Sequence, residues 1–371
     1  MLCHSDPVRI LHVSDCYLPR LGGIEVQVAD IVRVQGEAGH DVEVATATPG
    51  EALPGVHRLV APMPFDLPVH PRGTGHLIRM MTARRPDVVH VHMGAVSPFA
   101  WMGVRAAVRA GLPVVVTIHS MWDPVTRGGY RALQSAFRWR SWGVVATAVS
   151  EAAARPIREV AGPGVPVHVV SNGLDVSAWR PSADVAAESR DTVHVVAVGR
   201  LAPRKQPMRL LHLLEAARSR VPEHIAMRAT VVGDGPARGR MERHLRARRL
   251  DWVSLPGRLT REQIKEVLAS ADVFVAPAPR ESFGLAALEA RSAGVPVVAR
   301  EQSGVADFVR PGKEGLLGRT FDELISSVAT LARDPDLRRS IAGHNRETEP
   351  VKCSWPAVLE GFERCYALAR G

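Results

Sequence analysis

The sequence predicts an α/β protein of two doubly wound, Rossmann-like parallel-sheet domains facing a central cleft. Three observations carry this. Short runs rich in Val, Ile and Thr alternate with longer helical patterns along the whole chain, the signature of parallel α/β architecture. The alternation restarts once, close to residue 192. The length of 371 residues suits two domains of ordinary size, and 46% hydrophobic residues fill two cores.

In the first half the expected strands are RILHVSD (9–15), DVEVATA (41–47), DVVHVH (87–92), PVVVTIH (113–119) and VVATAVS (144–150). Helical patterns such as GIEVQVADIVRVQGEAG and SPFAWMGVRAAVRAG lie between them. The stretch 167–192 leaves a strand and enters a polar, proline-containing segment, read as the linker. The second sheet is expected from VHVVAVGR (193–200), MRATVVGDG (227–235), DWVSLPGR (251–258), DVFVAPA (272–278) and VPVVAR (295–300). Helices QPMRLLHLLEAARSRV and TREQIKEVLASA separate some of these strands. Two further helices, TFDELISSVATLARD and SWPAVLEGFERCYALAR, close the chain.

The net charge is +9 and the pI about 10.1. Such a balance points to an anionic partner, or to a genome biased toward arginine codons. Only four of the 47 basic residues are lysine, which favours the compositional explanation. The clusters ARR (83–85) and RARR (246–249) are read as solvated helix faces. No aromatic interleaving supports a nucleic-acid surface. Cys3, Cys16, Cys353 and Cys365 form no metal-ligand or redox spacing, the expectation for a reduced cytoplasmic protein. The N-terminus carries no basic segment followed by an apolar run, and no stretch of about 18 apolar residues occurs. Asp-Pro-Asp at 334–336 follows no strand, and is read as a helix boundary rather than a metal motif.

Ligands of open α/β sheets bind beyond the carboxyl ends of the strands, so the residues just after each strand carry the chemistry. After the first strand, Gly22 and Gly23 precede a helix, where a backbone and free N–H groups admit a phosphate; a simple turn is the alternative. His119 ends PVVVTIH and is placed to hydrogen-bond a ligand, or to serve as a boundary histidine; His90 and His92 also end a strand. Arg200 and Lys205 leave the first strand of the second half together, and two cations there would neutralise a departing diphosphate. Gly233, in VVGDGP, serves either close approach of a ligand or a tight turn.

The stretch ESFGLAALEARSAG places Glu281 at a helix entrance, with Ser282 as its N-cap and Gly294 as its C-cap, and puts Glu289 about two turns in. Eight helical residues separate the two backbones by about 12 Å. Glycosidase carboxyl pairs lie about 5–9.5 Å apart, so the spacing favours two contacts along one elongated ligand over a hydrolase pair.

Together, LGGIE, TIHS, SNGLD, GRLAPRKQP, VVGDGP and ESFGLAALEARSAGVPVV resemble the retaining glycosyltransferases of family 4, across nearly the whole chain. Glu281 and Glu289 match that family's Glu-x7-Glu signature, and Arg291 stands where methionine is usual. The resemblance implies the GT-B fold: an acceptor-side domain over 1–171, a linker over 172–191, a nucleotide-sugar-binding domain over 192–350 and a final helix, 351–371, crossing back to the first domain. It implies transfer of a hexosyl group from a nucleotide-sugar such as UDP-GlcNAc, UDP-glucose or GDP-mannose, without a metal or other cofactor. It further implies that Gly22 and Gly23 approach donor phosphate or acceptor, that His119 contacts the transferring sugar, and that Arg200 and Lys205 hold the diphosphate. Glu281 would lie near the sugar hydroxyls, Glu289 would bind ribose, and Gly233, Ser282, Phe283, Gly284 and Leu285 would line the donor site.

The acceptor, a lipid, a glycan or a small metabolite, would be read by segments 62–76 and 120–132. The expected location is the cytoplasm, with peripheral contact at the inner face of the plasma membrane and no nucleic-acid partner. Two other readings compete: a phosphorylase or sugar-phosphate synthase on a similar two-domain fold, and a non-enzymatic basic binding protein. The first, if pyridoxal-dependent, lacks a well-placed Schiff-base lysine. The second leaves Lys205 and the two glutamates unexplained.

Overall fold

The computed structural model describes residues 6–20, 22–61, 72–180 and 192–371. Cys3, part of the expected linker (181–191) and part of the first acceptor segment (62–71) lie outside the described residues. The chain divides into two units, Met1–Gly173 with Cys353–Gly371, and Leu174–Lys352.

Among the described residues the first unit holds seven strands: β1 (Arg9–Ser14), β2 (Asp41–Thr46), β3 (Val56–Arg58), β4 (Val88–Met93), β5 (Val114–Ile118), β6 (Val145–Ala148) and β7 (Val167–Val169). All pair in parallel, in the order β3-β2-β1-β4-β5-β6-β7. Its helices are α1 (Gly23–Glu37), α2 (Gly73–Arg84), α3 (Pro98–Arg109), α4 (Pro124–Phe137), α5 (Glu151–Ala161) and, from the far end of the chain, α12 (Trp355–Arg370). Period-two alternation sends Ile10, Val88, Val115 and Val145 to one face of the sheet. There they pack with Ile31 of α1 and with Val358, Phe362, Cys365 and Tyr366 of α12. Two residues further along the same face stand His12, His90, Thr117 and Thr147, all buried. The core on this side is therefore apolar at one end of the strands and polar toward their carboxyl ends.

The second unit holds β8 (Thr192–Val198), β9 (Ala226–Val232), β10 (Val253–Gly257), β11 (Val273–Ala276), β12 (Val297–Arg300) and β13 (Gly315–Gly318). They are parallel in the order β10-β9-β8-β11-β12-β13. The helices are α6 (Pro207–Arg218), α7 (Arg238–Arg248), α8 (Arg261–Ala269), α9 (Leu285–Ser292), α10 (Phe321–Arg333) and α11 (Pro335–Glu347). Leu210, Leu211 and Leu214 of α6 and Leu324, Val328 and Leu331 of α10 share one core with the sheet valines.

Two strands are not evident from the sequence. β3 has three residues, and β13 reads Gly-Leu-Leu-Gly. A Cβ on Gly315 would lie 1.9 Å from the Val297 carbonyl oxygen, so the residue that weakens the strand signal is the one this pairing requires. Asp334 is the helix boundary expected of Asp-Pro-Asp. It ends α10 and caps α11, its side chain accepting from the N–H groups of Asp336 and Leu337. The arginines of both basic clusters are exposed at the ends of α2 and α7. Among the described residues no helix is long and apolar enough to cross a membrane.

Candidate functional site

In each unit the strand order reverses at one place, between β1 and β4 in the first and between β8 and β11 in the second. Loops leaving the two central strands diverge there and open a crevice. Gly22 and Gly23 follow β1, Arg200 and Lys205 follow β8, and Glu281 follows β11, whereas His119 follows β5 and Gly233 follows β9; each unit is described by itself.

In the second unit β8 leads into Gly199 and Arg200, and both are exposed. Arg200 has no ion-pair partner among the described residues, so its charge faces solvent. A single 3₁₀ turn, Pro203–Lys205, follows, closed by Gln206 in the left-handed region at φ 51°. This turn aims Lys205 across the switch point, where its Nζ donates to Oε2 of Glu281 on the loop after β11. The lysine side chain is 37% exposed and the glutamate 18%. The pair is therefore formed at the mouth of the crevice, within reach of a ligand.

The backbone of Glu281 is fixed from below. Its carbonyl accepts from the Gly304 N–H at 2.9 Å. A Cβ on Gly304 would lie 2.2 Å from the Ser282 oxygen, and one on Gly284 would lie 2.6 Å from Val305 Cγ2. Phe283 is buried against Phe308, with ring centroids 5.3 Å apart. These contacts move the helix start. Gly284, at φ 96°, is the N-cap and Leu285 the first helical residue, so Ser282 does not cap the helix and Glu281 stands before it rather than at its entrance. Glu289 lies only a little more than one turn into α9 and is half-buried. The 12 Å helical separation therefore does not apply to these two carboxylates. Gly284 offers no side chain to cap α9.

Gly233 follows β9 at φ 140°, and a Cβ there would lie 1.9 Å from the Gly199 oxygen. Its role in the fold is to let the loops after β8 and β9 touch, tied by Gly199 N–H to the Val232 carbonyl at 3.0 Å and Leu201 N–H to the Asp234 carbonyl at 2.9 Å. Arg291 is buried, its Nη2 3.5 Å from Oε1 of buried Glu314. Burial alone would raise the Glu314 carboxyl, but hydrogen bonds from Arg310 and His344, with the charge of Arg291, bring it down to about 2. The arginine in the methionine position thus has an anionic partner inside the unit.

In the first unit Gly22, in extended conformation, caps α1 without a side chain, and Gly23 is exposed. Glu25 in the first turn is buried and paired with Arg20 at 3.1 Å. Asp15, after β1, accepts from the N–H groups of Phe99 and Ala100 at 2.9 and 3.3 Å and so caps α3 across the switch point. Burial raises its carboxyl to about 6, against those bonds. His119 is half-buried, just past β5, and its N–H donates to the Met93 carbonyl at 2.8 Å. Its imidazole does not stand alone, because Nε2 lies 3.0 Å from His92 Nδ1.

His92 Nε2 lies 2.8 Å from His12 Nδ1, and His12 Nε2 lies 2.8 Å from Gln35 Oε1. Burial lowers His12 and His119 to about 4, and His90 and His92 well below the usual histidine range. All four are neutral at pH 7. His12, Gln35 and Tyr366 have no place among the expected site residues. The sequence signal for the row was the His-Val-His of β4, which puts two histidines on one face. The second acceptor segment is mostly helix, since α4 begins at Pro124 under an Asp123 cap, with Trp122 stacked on Tyr130 at 4.0 Å.

The arrangement in the second unit, Lys205 paired with Glu281 across a switch point, Arg200 exposed on the same loop as Lys205 and Glu289 in the helix that follows Glu281, suits an anionic diphosphate with hydroxyl-bearing groups at its ends. Comparison with known proteins gives the same direction. Residues 21–178 match the family model for Glycosyltransferase Family 4, and residues 183–348 that for Glycosyl transferases group 1. The chain is 28% identical to a GDP-mannose-dependent alpha-mannosyltransferase of Mycobacterium tuberculosis, over 98% of this chain and 97% of the relative. It is also 28% identical to a D-inositol 3-phosphate glycosyltransferase of Acidothermus cellulolyticus, over 98% and 88%. The fold superposes on Anabaena HepE, solved in complex with UDP and glucose, with a TM-score of 0.74 at 20% identity, over 96% of this chain and 98% of that one.

Proposed function

We propose that this chain, which belongs to glycosyltransferase family 4 and is a glycosyltransferase, moves a hexosyl group from a nucleotide-diphosphate sugar to a hydroxyl acceptor with retention of anomeric configuration and without a metal. The observation that carries the reading is the Lys205–Glu281 pair at the switch point of the second unit. A lysine held by a carboxylate keeps its ammonium oriented, and with Arg200 it offers two positive charges to the diphosphate. The N-terminus of α9 adds the positive end of its helix dipole for the same phosphates.

In this reading stabilisation grows as the bond from the anomeric carbon to the phosphate oxygen lengthens. The departing oxygen gains negative charge, and fixed cations favour that charge over the ground state. Glu281, beside Lys205, meets hydroxyls of the transferring sugar, and Glu289 meets the ribose. Gly233 shapes the adjoining loop. On the first unit His119 meets a sugar hydroxyl, and Gly22 and Gly23 admit the acceptor or a phosphate. GDP-mannose is the first donor to test, because the M. tuberculosis relative that aligns over 97% of its own length is named as dependent on it. Inositol-type and lipid-linked hydroxyl compounds are the first acceptors. An exposed arginine-rich surface would favour an anionic acceptor or membrane headgroup.

The test is a screen of the purified chain against GDP- and UDP-sugars, with release of nucleoside diphosphate as the readout, in excess chelator and with added magnesium or manganese. Release from one donor class that survives the chelator is the expected outcome. Loss in chelator with rescue by the cation contradicts metal independence, and release from no donor contradicts the reading as a whole.

A further inference from the structure

Among the described residues, two groups of three side chains bring metal-ligating atoms within 4.8 Å of one another. The first is His12, His90 and His92 of the first unit. Its ring nitrogens are all engaged: His12 with Gln35 and His92, His92 onward with His119, and His90 with the Tyr366 hydroxyl and Thr117 at 2.8 and 2.7 Å. Gln35 pairs with the same hydroxyl at 2.8 Å. All three rings are buried, and the group holds no carboxylate to offset a cation. A metal there would displace every one of these bonds without an anion beside it, so the row is a hydrogen-bonded part of the core.

The second group, His212, Glu215 and His244 of the second unit, has a different chemistry. Leu210, Leu211, Leu213 and Leu214 turn one face of α6 into the core, which leaves His212 exposed. Glu215, three residues on, shares its face of the helix and is half-buried. Met241 anchors α7 in the same core, and His244, three residues later, reaches back to α6. Its ring stands edge-on to that of His212, with centroids 5.3 Å apart, and its Nε2 donates to Glu215 Oε1. Arg248, one turn further along α7, holds Glu215 Oε2 at 3.3 Å.

We propose that His212, Glu215 and His244 form a binding site for a zinc-class divalent ion that clips α6 to α7. Two imidazoles and one carboxylate suit zinc, with solvent in the fourth position of a tetrahedron. They do not suit magnesium or calcium, which take oxygen ligands. Ligand atoms around zinc stand about 3.3 Å apart, so atoms already within 4.8 Å close on an ion by small side-chain rotations at the protein surface. The ion takes the place of the proton that His244 Nε2 gives to Glu215. From the neutral ring that proton moves to Nδ1, and from the imidazolium it is released to solvent. Arg248 on Oε2 orients the carboxylate and leaves Oε1 for the metal.

The site is separate from the diphosphate-facing residues. Glu215 lies eight residues beyond the first residue of α6, about 12 Å along the helix from the end that follows Lys205. The proposal therefore does not rest on the function proposed above and adds no metal to the transfer step. Its consequence is mechanical. α6 follows the loop that carries Lys205 and α7 the loop that carries Gly233, so the clip braces the two helices behind those loops.

The test is calorimetric titration of the full chain, first stripped with chelator, with zinc chloride and separately with magnesium chloride. The wild type is expected to bind one zinc and to give no response to magnesium. His212→Ala and Glu215→Gln should each weaken zinc binding at least tenfold. His224→Ala, which removes an exposed histidine outside the group, should leave it unchanged. Zinc at a hundredfold excess over its Kd should raise the thermal midpoint of the wild type by about 5–10 °C and leave that of Glu215→Gln where it was. A wild type that binds no zinc, or binds magnesium equally well, overturns the proposal whether or not the variants fold. Zinc binding that survives within tenfold in His212→Ala and Glu215→Gln, or that falls equally in His224→Ala, also overturns it.

Discussion

Lys205 Nζ donates to Glu281 Oε2 across the point where the strand order of the second unit reverses. The contact joins the loop after β8 to the loop after β11, which are 76 residues apart in the chain. A half-exposed ion pair of this kind contributes little to stability, about 0–1 kcal/mol. Its placement therefore argues for a chemical role rather than a structural one.

Replacing Lys205 with alanine should cost far more in turnover than in folding. Loss of one preorganised stabiliser of developing charge costs on the order of 10²–10³ in rate. The thermal midpoint should move by no more than about 2–3 °C, since the pair is worth little to the fold. Steady-state kinetics and thermal unfolding on the same preparation check both halves. Wild-type turnover in the variant would remove Lys205 from the site.

The two signature glutamates should fail differently. Glu289→Ala removes a contact present before and during reaction and should mainly raise the donor KM. Glu281→Gln breaks the pair that orients Lys205 and should mainly lower kcat. Kinetics of both single variants against the preferred donor decide the matter. Equal collapse of kcat in both, together with hydrolysis of a nucleotide-free glycoside by the wild type, would restore the hydrolase reading.

Acid should destabilise the first unit. The unfolded histidines take up protons near their ordinary pKa of 6.5, whereas folded His12 and His119 wait until about 4, and His90 and His92 until lower still. Between those values the unfolded chain binds more protons, so stability falls as pH falls from about 6.5 toward 4. Asp15 acts in the opposite sense, because its folded carboxyl holds a proton up to about 6, but it is one group against four. A drop in thermal midpoint of roughly 10 °C between pH 7 and pH 5 is expected. A flat profile would show that the histidines are charged or solvated in the fold.

Gly233→Ala should destabilise the second unit. Its Cβ would meet the Gly199 oxygen at 1.9 Å, at a φ of 140° that L residues avoid. A loss of about 2–3 kcal/mol follows. Gly239→Ala, inside α7 with nothing within 4 Å of the added Cβ, is the control and should gain about 0.4–1 kcal/mol. Denaturant unfolding of both variants gives the comparison. A neutral Gly233→Ala would mean that the two loops are not packed as described.

Most of the fold was legible in the sequence because each long strand and helix carries its own periodic signal. Val273–Ala276 and Val297–Arg300 read as buried strands without any partner in view. What escaped depends on partners distant in the chain. β13 needs glycine for its pairing with β12, so its strand signal is weak. The start of α9 is set by Gly284 and Gly304 packing onto each other's neighbours, which no local pattern shows, so Ser282 looked like a cap. Glu281, Glu289, Lys205 and His119 were visible as polar residues after strands. The row behind His119 was not, because it needs the β1–β4 register to set His12 beside His90, and α1 and α12 to bring in Gln35 and Tyr366.

The stereochemistry of transfer tests the central claim most directly. Even without an acceptor, a retaining enzyme releases the sugar first in the anomeric configuration it had in the donor. We expect early ¹H NMR spectra of donor turnover in excess chelator to show the α-hexose before mutarotation when the donor is GDP-α-mannose or an α-linked UDP-sugar. Lys205→Ala should slow that signal on the order of 100-fold or more. Release of the β-anomer first, or a signal indifferent to Lys205, would contradict the account.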